Sequence, residues 1–237
     1  PNVKLTLTEA YESDRAQQQT LWLRLGANSL VTHARNSFYS TALHWQFVSV
    51  QAHAHSHYRL HNHALASSLR RQDTQIQLVG DGAHAELNSA VMVAERLNLD
   101  QQITIEHIGA QTSSHQRVHN IIADRGQSTF NGRIHIHNGA KKSNAQLSNK
   151  NIGLGASATI NTKPELEIYN DDVSCAHGAT IGRLDDSQLF YLCSRGVAPA
   201  AARRLLCEGF LHQCVDGPLA DTARPALIGP LQDMSMA

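Results

Sequence analysis

Apolar and polar residues alternate along most of this chain in short runs that break at Asn, Gly or Asp. Such alternation predicts half-buried strands separated by tight corners. The clearest runs are Val3–Leu7, Leu21–Leu25, Trp45–Val50, Ile76–Val79, Ala90–Val93, Ile103–Ile108, Val118–Ile122, Arg133–His137 and Glu165–Tyr169. Turn signals recur at Gly80-Asp81-Gly82, Asp124-Arg125-Gly126, Asn131-Gly132 and Asn138-Gly139. A sandwich or barrel would fit this pattern, and so would a β-helix. Small residues and Asn at the corners favour the β-helix, because Asn tolerates corner conformations and can bond along a stack. We therefore expect an all-β core over residues 1–184. Thr74–Val79, Ala83–Asn88, Gln101–Glu106 and Val118–Ala123 would each be one side of a coil.

The period changes after Leu184. Asp185 can cap a helix starting at Asp186, with Gln188 completing a capping box and Leu184 stapling to Leu189. Gly196 ends that helix, and Pro199 opens a second one running through Ala200–Val215. Ala198 is a poor cap for this second start. Gly217-Pro218 stops it, so a helical region over 185–216 and a loose tail over 217–237 are expected. Leu189-Phe190-Tyr191-Leu192 makes the first helix apolar nearly all round, which calls for cover on more than one side. One side can close the β-helix, and the other can receive a partner with Arg195 at the rim.

Composition narrows the function classes. Lys and Arg together number 20, as do Asp and Glu, so the chain has no net formal charge. That argues against a nucleic-acid binder held by phosphate contacts. Aromatic residues at 5% leave few stacking platforms for single strands. No apolar run is long enough for a transmembrane helix, and no signal-peptide pattern opens the chain. Pro1 begins a strand-like segment without a Met, which suggests a missing N-terminal piece. The four cysteines, Cys175, Cys193, Cys207 and Cys214, form no Cys-x-x-Cys pair and read as free thiols.

Cys175 and His177 stand two apart on a predicted strand and therefore share a face. Thiolate and imidazole both ligate transition metals. One thiol and one imidazole cannot hold an iron–sulfur cluster, so any such role needs ligands from a partner. Cys175 also reads as a buried structural thiol, and Cys207 and Cys214, seven apart, as helix packing. His53, His55, His57, His61 and His63 form a second concentration, in which the first three would align on one strand face. A solvated outer face is the plain alternative to a metal patch there. Gly153-Leu154-Gly155-Ala156-Ser157-Ala158 spells a dinucleotide fingerprint but lacks the following helix, and reads as a coil corner. No Gly-x-x-x-x-Gly-Lys-[Ser/Thr] phosphate loop occurs, so nucleotide hydrolysis is not this chain's activity. Asp171-Asp172 sits in a turn and Asp185 in a cap, which disfavours a hydrolytic carboxylate pair.

Several longer motifs come in one order: Ser128-Thr129-Phe130-Asn131-Gly132, Ala145–Asn151, and Thr162-Lys163-Pro164-Glu165-Leu166-Glu167-Ile168-Tyr169. Asp171-Asp172-Val173, Cys175-Ala176-His177-Gly178-Ala179-Thr180, Leu189-Phe190-Tyr191-Leu192 and Ser194-Arg195-Gly196 follow. Over Arg117 to Val215 the chain resembles the SufB/SufD family, scaffold components of the SUF iron–sulfur assembly machinery, and SufD most. The resemblance implies a right-handed parallel β-helix with a C-terminal helical domain. It implies a non-enzymatic subunit that pairs with a SufB-type scaffold and is gripped by a SufC-type ATPase. Leu189, Phe190, Tyr191, Arg195, Leu205, Leu206 and Phe210 would form the SufC-binding face. His177, and more weakly Cys175, would serve cluster assembly at the SufB interface. No resident cofactor is implied, only a transient iron–sulfur cluster. The implied setting is cytoplasmic, or the plastid stroma in a photosynthetic eukaryote. Cys193 departs from the family, standing where SufD-like members commonly carry Arg. Self-pairing of the isolated chain would follow from an exposed end coil. The alternatives are a carbohydrate-active β-helix enzyme and a histidine-rich metal-binding protein.

Overall fold

A computed structural model describes residues 1–12, 15–39 and 42–233. Its first strands are β1 (Lys4–Glu12), β2 (Gln17–Leu25), β3 (Leu30–Tyr39), β4 (Leu43–Ala52), β5 (His57–Leu65) and β6 (Leu69–Leu78). They continue as β7 (His84–Val93), β8 (Asn98–His107), β9 (Ser113–Ala123), β10 (Gln127–Ile136), β11 (Ser143–Leu154), β12 (Thr159–Ile168) and β13 (Val173–Gly182). Odd-numbered strands form a seven-stranded sheet and even-numbered strands a six-stranded one. Every pairing within them is parallel. Because successive strands change sheet, the chain winds as a β-solenoid of about six turns, the expected β-helix. Leu43 lies opposite Leu69 in one pair of coils and Gln127 opposite Thr159 in another, so the coil length drifts. That drift is the physical source of the loose repeat in the sequence.

One corner of the coil is left-handed in each turn. Asn28, His55, Gly82, Gln111 and Lys142 have φ of 57°, 53°, 66°, 55° and 57°. Their amides donate up the stack, to Ala54, Asp81, Ala110, Lys141 and Asp172 carbonyls respectively. The backbone bonds satisfy groups that strand pairing cannot reach, and this offsets the strain of αL at non-glycine residues. His55 therefore belongs to a corner, and His53 precedes it after β4 has ended. The expected alignment of His53, His55 and His57 on one strand face does not occur. His61 and His63 are buried and engaged elsewhere, through Asp216 and Asn36.

The lumen is filled from both sheets. Val48, Val50, Ile76, Leu78, Ile103, Ile105, Ile134 and Ile136 meet Tyr58, Leu60, Leu87, Val118 and Leu147. Each fully buried aliphatic chain contributes on the order of 1.5–3 kcal/mol. A second inward rank is polar and forms a ladder along the axis. Gln46 donates to Gln19 at 2.8 Å, Gln72 to Gln46 at 2.9 Å, Gln101 to Gln72 at 3.1 Å and Asn120 to Gln101 at 3.3 Å. Asn120 continues to Asn151 at 3.2 Å, and Asn151 to Asn149 at 2.6 Å. Buried amides are tolerated because an amide can donate to one neighbour and accept from another, as Gln46, Gln72 and Gln101 do.

This ladder explains the strands that alternation alone did not reveal. β3, β5 and β11 carry buried Arg35, Asn36, Asn62, His63, Asn149 and Asn151. Their inner faces join the polar network, and the outer faces of β3 and β5 are covered by helix, so polar residues occupy buried positions on both sides. Asn131-Gly132, expected as a turn, lies inside β10. A Cβ on Gly132 would stand 2.6 Å from Leu147 Cδ1 and from Phe130 Cζ, so glycine there makes room for core side chains.

The helices are α1 (Asp186–Ser194), α2 (Pro199–His212), α3 (Ala220–Ile228) and α4 (Pro230–Asp233). Asp185 caps α1, accepting from Ser187 N at 2.8 Å and Gln188 N at 3.4 Å. Gly196 follows with φ 88°, and Pro199 opens α2 without a side-chain cap. The loose tail expected over 217–237 is corrected by α3 and α4 as far as Asp233, and 234–237 lie outside the described residues. Ala220, Ala223, Leu227 and Leu231 pack with Phe38, Met92 and Ile121 on the outer face of the seven-stranded sheet. Composition hid these helices because Pro225 lies inside α3 and the apolar face uses small alanines.

Polar ties fix the same contact. Asp216 meets His61 Nδ1 at 2.6 Å and accepts from Asn88 Nδ2 at 3.0 Å. Asn36 donates to Leu219 O and Thr222 Oγ1. The Phe210 ring stacks on His119 with centroids 4.5 Å apart.

Two predictions follow from the lumen and the buried histidines. Gln101→Leu would remove donors to Gln72 and Ser89 and the acceptor of Asn120. It should destabilise the fold by about 2–3 kcal/mol, read as a lower urea midpoint. Burial pushes His63 and His107 down to about 4 from the ordinary 6.5. The unfolded chain thus takes up these protons first. Stability should be intact above pH 6.5 and fall as pH drops toward 4, by roughly 3 kcal/mol for each residue at the acid limit. Urea titrations between pH 7 and 4 would show the slope, and a flat profile would refute it.

Candidate functional site

Among the described residues, the last coil ends in two strands with no outer neighbour: β13 pairs with β11 alone, and β12 with β10 alone. An edge strand offers a row of unpaired N–H and C=O groups to another chain. Cys175 lies opposite Ala145 and His177 opposite Leu147, two residues of the lumenal core. The pair therefore continues the inward-facing rank at the coil where no further turn covers it. The strand geometry places the two side chains on one face, as their spacing predicted.

Their surroundings differ. His177 is exposed, whereas Cys175 is half-buried and packs against the lumenal cluster. Burial pushes the Cys175 thiol up, opposed by a backbone hydrogen bond at Ala145. Cys207 and Cys214 are buried in the second core and pushed up to about 12, chiefly by desolvation. These two serve packing, as their spacing suggested, and all four cysteines are free. His177 is thus the ligand-capable group open to solvent at this end, and Cys175 is a thiol that needs uncovering to ionise.

The second candidate surface is α1 with the adjoining face of α2. No residue of α1 is buried, and the helix packs chiefly on α2. It does not close the lumen, which corrects one of the two covers expected for it. Phe190 is 76% exposed and Tyr191 57%. The Arg195 guanidinium lies 5.3 Å from the Tyr191 ring centroid, which fixes both at the rim. A shallow groove of about 380 Å³ runs between the helices, lined by Ser187, Gln188, Tyr191, Leu192 and Leu206. Leu205 is exposed beyond it, and Leu189 is half-buried. Phe210 stands apart from this face, because its ring is stacked on His119 of the solenoid.

The family model described as "SUF system FeS cluster assembly, SufBD core domain" matches residues 1–210. The chain belongs to the SufBD family. SufBD relatives include the "Iron-sulfur cluster assembly protein SufD" of Escherichia coli, 36% identical over 66% of this chain and 37% of that protein. The SufBD family protein slr0076 of Synechocystis is 34% identical over 92% of the chain and 51% of its own length. "Protein ABCI7, chloroplastic" of Arabidopsis thaliana is 31% identical over 77% of the chain and 38% of its own length. The chain thus spans about a third to a half of the length of these three relatives. Among the described residues no helix is long and apolar enough to cross a membrane.

Sequence reasoning singled out His177, Cys175 and the α1 face as candidates but did not name the anchors that hold the helices in place. Asn36, Asn88 and Asp216 carry no local motif, and only the fold brings them together across more than a hundred residues. As a test of the thiol environments, alkylation of Cys175 should be slow at pH 7 and quicken steadily as rising pH ionises the thiol. Cys207 and Cys214 should stay unmodified throughout in the native protein. Peptide mass mapping across that range checks both, and rapid labelling of Cys175 at pH 7 would contradict its burial.

Proposed function

We propose that this chain is a SufD-like scaffold in iron–sulfur cluster assembly, working in a SufB–SufC–SufD complex. Its solenoid pairs with a SufB-type scaffold at the β12–β13 end. Its α1–α2 face docks a SufC-type ATPase through Leu189, Phe190, Tyr191, Arg195, Leu205 and Leu206. The observation that carries this reading is the edge strand β13, paired on one side with β11, with an exposed imidazole in its inward rank.

The cluster is cargo in this scheme. His177 offers one ring nitrogen to iron, and the partner supplies further ligands, since a cluster needs several and mostly thiolates. Cys175 joins when the last coil is opened, because hydration lowers the cost of its thiolate. Nucleotide-driven movement of the ATPase supplies that opening by displacing α1–α2. The chain itself does no covalent chemistry. Its contribution is to place ligands and to transmit motion.

Co-expression with SufB-type and SufC-type partners tests the proposal. His177→Ala should keep the complex intact but lower cluster yield, read as visible absorbance per complex. Phe190→Ala with Tyr191→Ala should release the ATPase while the solenoid stays folded. Unchanged cluster yield in the first variant would remove His177 from the site, and retained ATPase in the second would move the docking face elsewhere.

A further inference from the structure

A third group of ligand-capable side chains lies on the other wall of the solenoid from β13, on the outer face of the six-stranded sheet. His135 of β10 stands directly opposite Glu106 of β8 on one side and Glu167 of β12 on the other. His137 follows two residues later, just past the end of β10, and its amide still bonds His107 O at 2.9 Å. Candidate ligand atoms of Glu106, His135 and His137 all lie within 4.8 Å of one another. We propose that these three residues form a binding site for a divalent first-row transition-metal ion.

The supports around the three residues are already built. Glu106 Oε1 accepts from Gln77 Nε2 at 3.5 Å, and its Oε2 lies 3.1 Å from His137 Nε2. Arg133 donates to Glu167 Oε2 at 2.6 Å and sits 3.3 Å from His135 Nδ1. No hydrogen bond to Nε2 of His135 occurs among the described residues, so that nitrogen is free to ligate. Tyr169 packs on the same ring at 5.3 Å. Such outer contacts orient metal-binding imidazoles and carboxylates.

Charge and geometry also suit a cation. Two carboxylates and one guanidinium leave the cluster with a net negative charge when the imidazoles are neutral. The site is half-buried, with side-chain exposures of 19% for His135, 36% for His137 and 29% for Glu106, so ions can reach it. The imidazoles are stacked in parallel, 4.1 Å between centroids. Binding turns them out of that stack and draws the ligand nitrogens to about 3.3 Å apart, the separation set by metal–nitrogen bonds near 2.1 Å on a tetrahedral ion. Two imidazoles select zinc or ferrous iron over magnesium and calcium, which prefer all-oxygen shells. Three protein ligands leave a position for water or an exchanging ligand. The site needs no partner chain and does not depend on the cluster role of His177.

Calorimetric titration of the chain with zinc, in excess magnesium, tests the assignment, and cobalt absorbance reports the coordination. One equivalent should bind, and His135→Ala and His137→Ala should each weaken it at least about tenfold. Glu106→Gln should shift the cobalt spectrum while leaving the thermal melt of the metal-free protein unchanged. Replacing His53, His55 and His57, or His177, should leave that equivalent intact. Wild-type affinity in both β10 variants would overturn the site, as would loss of the equivalent only on removing His53, His55 and His57.

Discussion

Everything in this molecule depends on coils stacking in register, so that each inward position faces its counterpart one turn above and below. Under that constraint a buried polar group is best satisfied where its neighbours repeat its chemistry. Gln46, Gln72, Gln101 and Asn120 meet the condition, each donating to the amide of an adjoining coil. The αL corners obey the same rule in the backbone. Together these two ladders hold the strand ends at fixed heights, and the height of the last rung decides where His177 emerges.

Legibility in the sequence followed the same division. Strands such as β6 and β8, with aliphatic inward residues Ile76, Leu78, Ile103 and Ile105, showed plain alternation and were predicted. β3 and β5 did not, because their polar residues are buried by amides on one side and by helices on the other. The corner histidine His55 looked like part of a strand face because alternation says nothing about φ. α3 was hidden by its own proline, although its alanines meet the sheet closely. The capped start of α1 was legible because capping is local chemistry, carried by Asp185 and its next three residues.

The two candidate surfaces were legible for different reasons. Cys175 and His177 formed a local motif, and a strand gives two such residues one face whatever the rest of the fold does. Cys175 already read as a buried thiol, and the structure leaves it half-buried beside an exposed His177 on the last strand of the sheet. For α1 the sequence showed a helix with too much apolar surface for one neighbour. The structure leaves Phe190 and Tyr191 uncovered, while Phe210, similar in kind, is spent on the solenoid.

The attachment of the helices has a mechanical consequence. Asn36, His61, Asn88 and His119 tie them to β3, β5, β7 and β9, all in one sheet. A load applied at α1 therefore enters the seven-stranded wall and reaches β13 through lateral hydrogen bonds, strand by strand. The opposite wall carries none of these tethers. Strain of this kind acts as a shear between two walls, and its free margin is the rim where His177 stands.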